Sequence, residues 1–125
     1  MSSDWEHLRT LALGEMEATL ADLPEPLRER AARVAVTFEP KPNADFVAEG
    51  IEPDSLGLFT GPTFAEEGHS GSPIPPQIIL YLQNLWDFTG GDEELFLEEV
   101  HTTYLHELGH YLGLDEDDLF ERGLD

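Results

Sequence analysis

Apolar side chains recur at helical spacing in two long stretches, and shorter strand-like runs lie between them. In the first stretch Trp5, Leu8, Ala12, Met16, Leu20 and Leu23 follow one another at helical intervals, and Pro24 ends the run. Ser3 and Glu6 form an S-x-x-E capping box at its start. Pro26 opens a short second helix to about Arg33, since proline suits a first helical turn. Val34 to Phe38 then reads as a strand. Residues 39–54 carry Pro40, Pro42, Gly50 and Pro53 as breakers and read as irregular. Leu56 to Thr60 is short and apolar enough for another strand, and Gln77 to Phe88 is strand-like throughout. The longest loop, 61–76, is rich in Gly, Ser and Pro and contains His69. A loop of that length in a small domain is either mobile or functional, and its position suits the wall or lid of a cleft.

The second amphipathic stretch starts at Gly91-Asp92-Glu93-Glu94, a turn residue followed by a side-chain cap and first-turn acids. Leu97, Val100, Tyr104, Leu108 and Tyr111 recur along it at helical spacing. On a helical wheel they fall opposite His106 and His110, which belong to the H-E-x-x-H sequence His106-Glu107-Leu108-Gly109-His110. Two imidazoles four positions apart lie one above the other on a helix, so both rings can grip one metal ion. Glu107 then lies close enough to take a proton from a metal-activated water. The bland alternative for the two histidines is a solvated helix face.

A catalytic zinc usually takes three protein ligands. Only fifteen residues follow His110, too few for a ligand on a later helix well downstream. Gly113 sits where the helix must end, and a left-handed cap there would swing the chain back towards the metal. Glu116, three residues on, is the favoured third ligand, giving H-E-x-x-H-x-x-G-x-x-E. Asp115 and Asp117 flank it and remain open as one-residue alternatives. The acids 115–118 also read as the N-terminus of a last short helix, Leu119 to Leu124. His69 and His101 are weaker ligand candidates; His101 precedes His106 by five residues and is turned well away from the metal face.

On this motif, together with Leu56-Gly57-Leu58-Phe59-Thr60-Gly61 and Pro76-Gln77-Ile78-Ile79-Leu80-Tyr81, the chain resembles the small bacterial zincin-like metallopeptidases. These are minimal single-domain proteins carrying H-E-x-x-H-x-x-G-x-x-[DE], and the likeness runs from about residue 30 to the end. The resemblance implies an α+β fold, with a small mixed β-sheet packed against an N-terminal helix and a C-terminal active-site helix. It implies zinc held by His106, His110 and the acid at 116, and Glu107 as general base. It further implies an edge strand beside the active helix on which a peptide pairs, supplied by Leu56–Thr60 or by the Gln77–Phe88 segment. Unlike ordinary metzincins, the chain has no Met-containing turn, because its only methionines are Met1 and Met16.

Length fits one domain over residues 1–125. With no cysteine there are no disulfides and no thiolate ligands, so a metal must rest on His and carboxylate. No apolar run is long enough to span a membrane, and the N-terminus lacks the basic start and apolar core of a signal peptide, so the cytoplasm is expected. Twenty-seven acids against six bases give a formal net charge of −21, which disfavours nucleic acid and anionic membrane surfaces as partners. That charge serves solubility first and steering of cationic peptides second.

These readings predict a zinc-dependent metallopeptidase acting on peptides or unfolded polypeptides. The rival is a metal-binding, weakly active or inactive zincin-like module that binds peptides or regulates; a purely structural metal is a third reading. Tyr81, His69 and Tyr111 are oxyanion-stabilising candidates by residue type alone.

Overall fold

The computed structural model describes residues 2–66 and 75–113 of the chain, with side chains from Trp5 onward. Helix α1 (Ser2–Asp22) and helix α2 (Glu25–Ala31) lead into strand β1 (Ala35–Glu39). A short helix α3 (Ala44–Ala48) precedes strand β2 (Gly57–Thr60), and β3 (Gln77–Tyr81) runs directly into α4 (Leu82–Phe88). Helix α5 (Glu93–Leu112) carries the H-E-x-x-H sequence. The fold is α+β: the three strands form a mixed sheet in the order β1-β3-β2, with β1 parallel and β2 antiparallel to β3. Among the described residues no helix is long and apolar enough to cross a membrane.

The helices fold where their apolar residues can share one core. Leu8 and Ala12 of α1, Ile78 and Leu80 of β3, Leu82 and Leu85 of α4, and the inner face of α5 form a single buried cluster. On α5 the expected face is buried at Val100, Tyr104, Leu108 and Tyr111, with Leu97 half-buried, and it is widened by Phe96 and Leu105. Helix α1 begins at or before the S-x-x-E sequence rather than on it, a difference within the usual uncertainty of helix ends.

Two readings of the middle region need correction. Residues 39–54 are not wholly irregular: Asn43 accepts the Phe46 N–H at 2.8 Å and so caps α3. The strand-like segment from Gln77 ends at Tyr81, and the chain turns helical at Leu82. The apolar run suits either period, and tertiary contacts decide between them. Gln83 donates its backbone N–H to Pro40 O at 3.1 Å, satisfying a first-turn donor of α4 from outside the helix. Asn84, 6 % exposed, donates from its side-chain amide to Pro53 O at 2.9 Å and Ser55 O at 2.8 Å. Helix α4 thereby fastens the loop that delivers β2.

Candidate metal centre

Helix α5 is delimited by its two ends. Asp92 accepts the Leu95 N–H at 3.0 Å, and Glu93 and Glu94 occupy the positive first turn. At the other end Gly113 adopts φ 75°, the left-handed cap expected of it, and its N–H returns to the last turn. The backbone C=O of Tyr111 accepts the Phe64 N–H at 2.7 Å. The Tyr111 ring packs between Phe59 (centroids 5.8 Å apart) and Phe64 (6.1 Å), and Arg30 covers Phe64 at 4.6 Å. The end of the helix that bears the histidines is therefore clamped from β2, from the loop after it and from α2.

On this clamped helix the two imidazoles meet. The rings of His106 and His110 lie 4.9 Å apart at 86°, and one ligand atom from each of His106, Glu107 and His110 falls within 4.8 Å of the others. His106 is half-buried and His110 exposed, so the pair faces outward as the helical wheel requires. Two imidazole nitrogens facing one point suit zinc as ligands, and the Glu107 carboxylate stands within reach of the same point without being needed as a ligand. Glu116, Asp115 and Asp117, and His69 on the loop, lie outside the described residues.

Glu107 is held differently from the histidines. It is only 8 % exposed, and burial pushes its carboxyl above the usual carboxylate range. The nearby His106 and the Phe59 N–H, which donates to it, pull partly in the opposite direction. That amide comes from an edge. Tyr81 donates its N–H to Leu56 O at 3.0 Å, and this sets the alternation along β2. Leu58 and Thr60 bond to β3, while Gly57 and Phe59 turn their N–H and C=O groups towards the edge that no other strand pairs with among the described residues. Of the two strands considered for that edge, both pack against α5, but β3 is central and β2 lies at the edge of the sheet.

Gly57 was not singled out by sequence reasoning, yet it sets the spacing of the site. A Cβ there would stand 2.8 Å from Thr103 Cγ2 and 3.3 Å from Glu107 Cγ. Glycine inside a strand run was the available signal, since it often marks a close backbone approach. Asn84 gave no comparable signal.

The remaining candidates separate cleanly. His101 is turned away from the metal face, as expected, with its Nδ1 2.7 Å from Thr19 Oγ1 on α1. Tyr111 and Tyr81 are fully buried, so neither side chain reaches a substrate, and both lapse as oxyanion-stabilising residues. The Tyr81 hydroxyl has no hydrogen-bond partner among the described residues, and burial, Glu39 and Glu107 all raise its pKa.

No curated protein matches the chain significantly. The model of one family, described as zincin-like metallopeptidase, matches residues 31–124, from the end of α2 through the histidine helix and beyond. With its histidine pair on a capped helix beside an edge strand, the chain belongs to the zincin-like metallopeptidase family.

Proposed function

We propose that the protein is a zinc-dependent peptidase that hydrolyses peptide bonds in short or unfolded polypeptides. His106 and His110 would hold the metal, and Glu116, three residues past Gly113 in the sequence, would supply the third ligand. Bound zinc would supply a Lewis acid that makes water nucleophilic at neutral pH. Glu107 takes the proton released as that water attacks the carbonyl carbon, then delivers it to the departing amine nitrogen. Burial suits Glu107 to this task, because raising the carboxyl above its ordinary range makes it a stronger base. The outward amide and carbonyl of Gly57 and the carbonyl of Phe59 offer a peptide backbone its pairing partners.

The observation that carries this reading is the convergence of His106, Glu107 and His110 within 4.8 Å, directly beside that edge. A second reading, a metal-dependent peptide-binding module with little turnover, draws its weight from the third ligand, a carboxylate in an acidic run that would hold zinc weakly. A mixed peptide library incubated with zinc-loaded protein, chelated protein and the Glu107→Gln variant distinguishes the two. Cleavage by the zinc-loaded wild type alone supports the peptidase. Zinc-dependent retention of peptides without cleavage supports the module, and equal cleavage by wild type and variant defeats the role given to Glu107.

A further inference from the structure

Resting on the peptidase reading, we infer that the hollow beside His106 and Glu107 is a subsite for a cationic side chain, selected by Glu99. The hollow measures about 300 Å³. Glu99, Thr102 and Thr103 of α5 wall one side and residues 55–57 the other, and it opens onto His106 and Glu107. Glu99 precedes His106 by seven residues, two helical turns, so both lie on one stripe about 10 Å apart. An extended peptide rises about 3.3 Å per residue, so a Lys or Arg within about two residues of the scissile bond spans that gap.

Glu99 is half-buried and, among the described residues, has no hydrogen-bond or ion-pair partner. A carboxylate partly removed from water and left unpaired is complemented by a cation and opposed by an anion. Leu56 and the two threonines give the aliphatic stem of Lys or Arg a surface to lie on. Among the described residues no Lys or Arg lines the hollow. A net charge of −21 adds long-range attraction of the same sign.

The test is a positional peptide library with Arg, Gln or Glu fixed at each site in turn, offered to the zinc-loaded protein. Arg is expected to exceed Gln about 5-fold at one position near the cleaved bond, with Glu the poorest. Glu99→Gln should flatten that preference and Glu99→Arg should invert it. Glu98→Arg makes the same change of charge outside the hollow and should leave the order of preference intact. Cleavage without a charge preference at any position, or a preference that survives in Glu99→Gln, overturns the subsite and leaves the peptidase standing. If the wild type cleaves nothing, binding of the same peptides to zinc-loaded Glu107→Gln decides. Arg-selective binding that Glu99→Gln abolishes upholds the subsite and sinks the peptidase; unselective or absent binding overturns the subsite as well.

Discussion

Gly57 lies against Glu107: a Cβ placed on this edge residue would come within 3.3 Å of the Glu107 Cγ and closer still to Thr103. The missing side chain is what lets β2 approach the histidine helix. Gly57→Ala should therefore push the strand outward and lower stability by about 1–3 kcal/mol, the usual cost of overpacking. It should also lower peptide turnover more than its stability loss explains, because the edge and Glu107 move apart. Urea unfolding alongside kcat/KM on one peptide measures both. Unchanged stability and turnover would show that the strand has room to spare.

Burial of Glu107 predicts a conflict between stability and function in the metal-free protein. Its carboxyl is raised in the fold, so the group is without penalty below the ordinary carboxylate range, where folded and unfolded chains both hold the proton. As pH rises, the unfolded chain ionises first and the fold loses stability through the folded pKa. Glu107→Gln removes that loss. The variant should melt above wild type at about pH 7, with the gap closing as pH falls into the ordinary carboxylate range. Melting curves without zinc, taken across that range, check the sign.

Much of this site could be read from the chain before its structure, and what could not shares a physical cause. The histidine helix declared itself because its period, the Asp92 cap and the Gly113 stop are local features that agree. The assignment of residues 77–88 as one strand failed because Leu82 and Leu85 fit either period. The helix is set by Pro40, Pro53 and Ser55, partners distant in sequence. Helix α3 was overlooked although Asn43 stands where a cap belongs, because the surrounding prolines and glycine dominate the reading. Tyr81, chosen by type alone, is a packing residue because only the fold decides which face of β3 it occupies, whereas the helical period already put Tyr111 on the buried face of α5.

Asn84 is expected to matter to activity from a distance. Its amide donates to the carbonyls of Pro53 and Ser55, so Asn84→Ala leaves two loop acceptors without their donor and frees the approach to β2. A loss of about 2 kcal/mol is expected. KM should rise more than kcat falls, because the peptide-pairing edge is displaced while Glu107 and the histidines stay on α5. A pure kcat effect would contradict this account.

Tyr81 offers the opposite case. Its hydroxyl is buried without a partner among the described residues, so Tyr81→Phe removes a polar group they leave unsatisfied and keeps the ring. Stability should hold or rise by about 1 kcal/mol, and turnover should stay within about 2-fold of wild type. A loss of about 100-fold in kcat would instead place the hydroxyl at the reacting carbonyl, which its burial opposes.

Metal binding should be visible as stability. Zinc that binds only the folded chain raises the melting temperature, by an amount that grows with the ratio of free zinc to its dissociation constant. At about 100 times that constant the gain is about 2.7 kcal/mol, and a chelator should reverse it. His106→Ala and His110→Ala should each abolish the shift, since the two rings supply the nitrogens of the cluster. Among the acids past Gly113, Glu116→Gln should weaken the response while Asp115→Asn and Asp117→Asn leave it nearly whole. If Asp115→Asn or Asp117→Asn is the damaging change, the turn after Gly113 presents a neighbouring carboxylate and the spacing to the third ligand is one residue shorter or longer. If no acid variant alters the response, the third ligand comes from elsewhere, and His69→Ala is then the variant to measure.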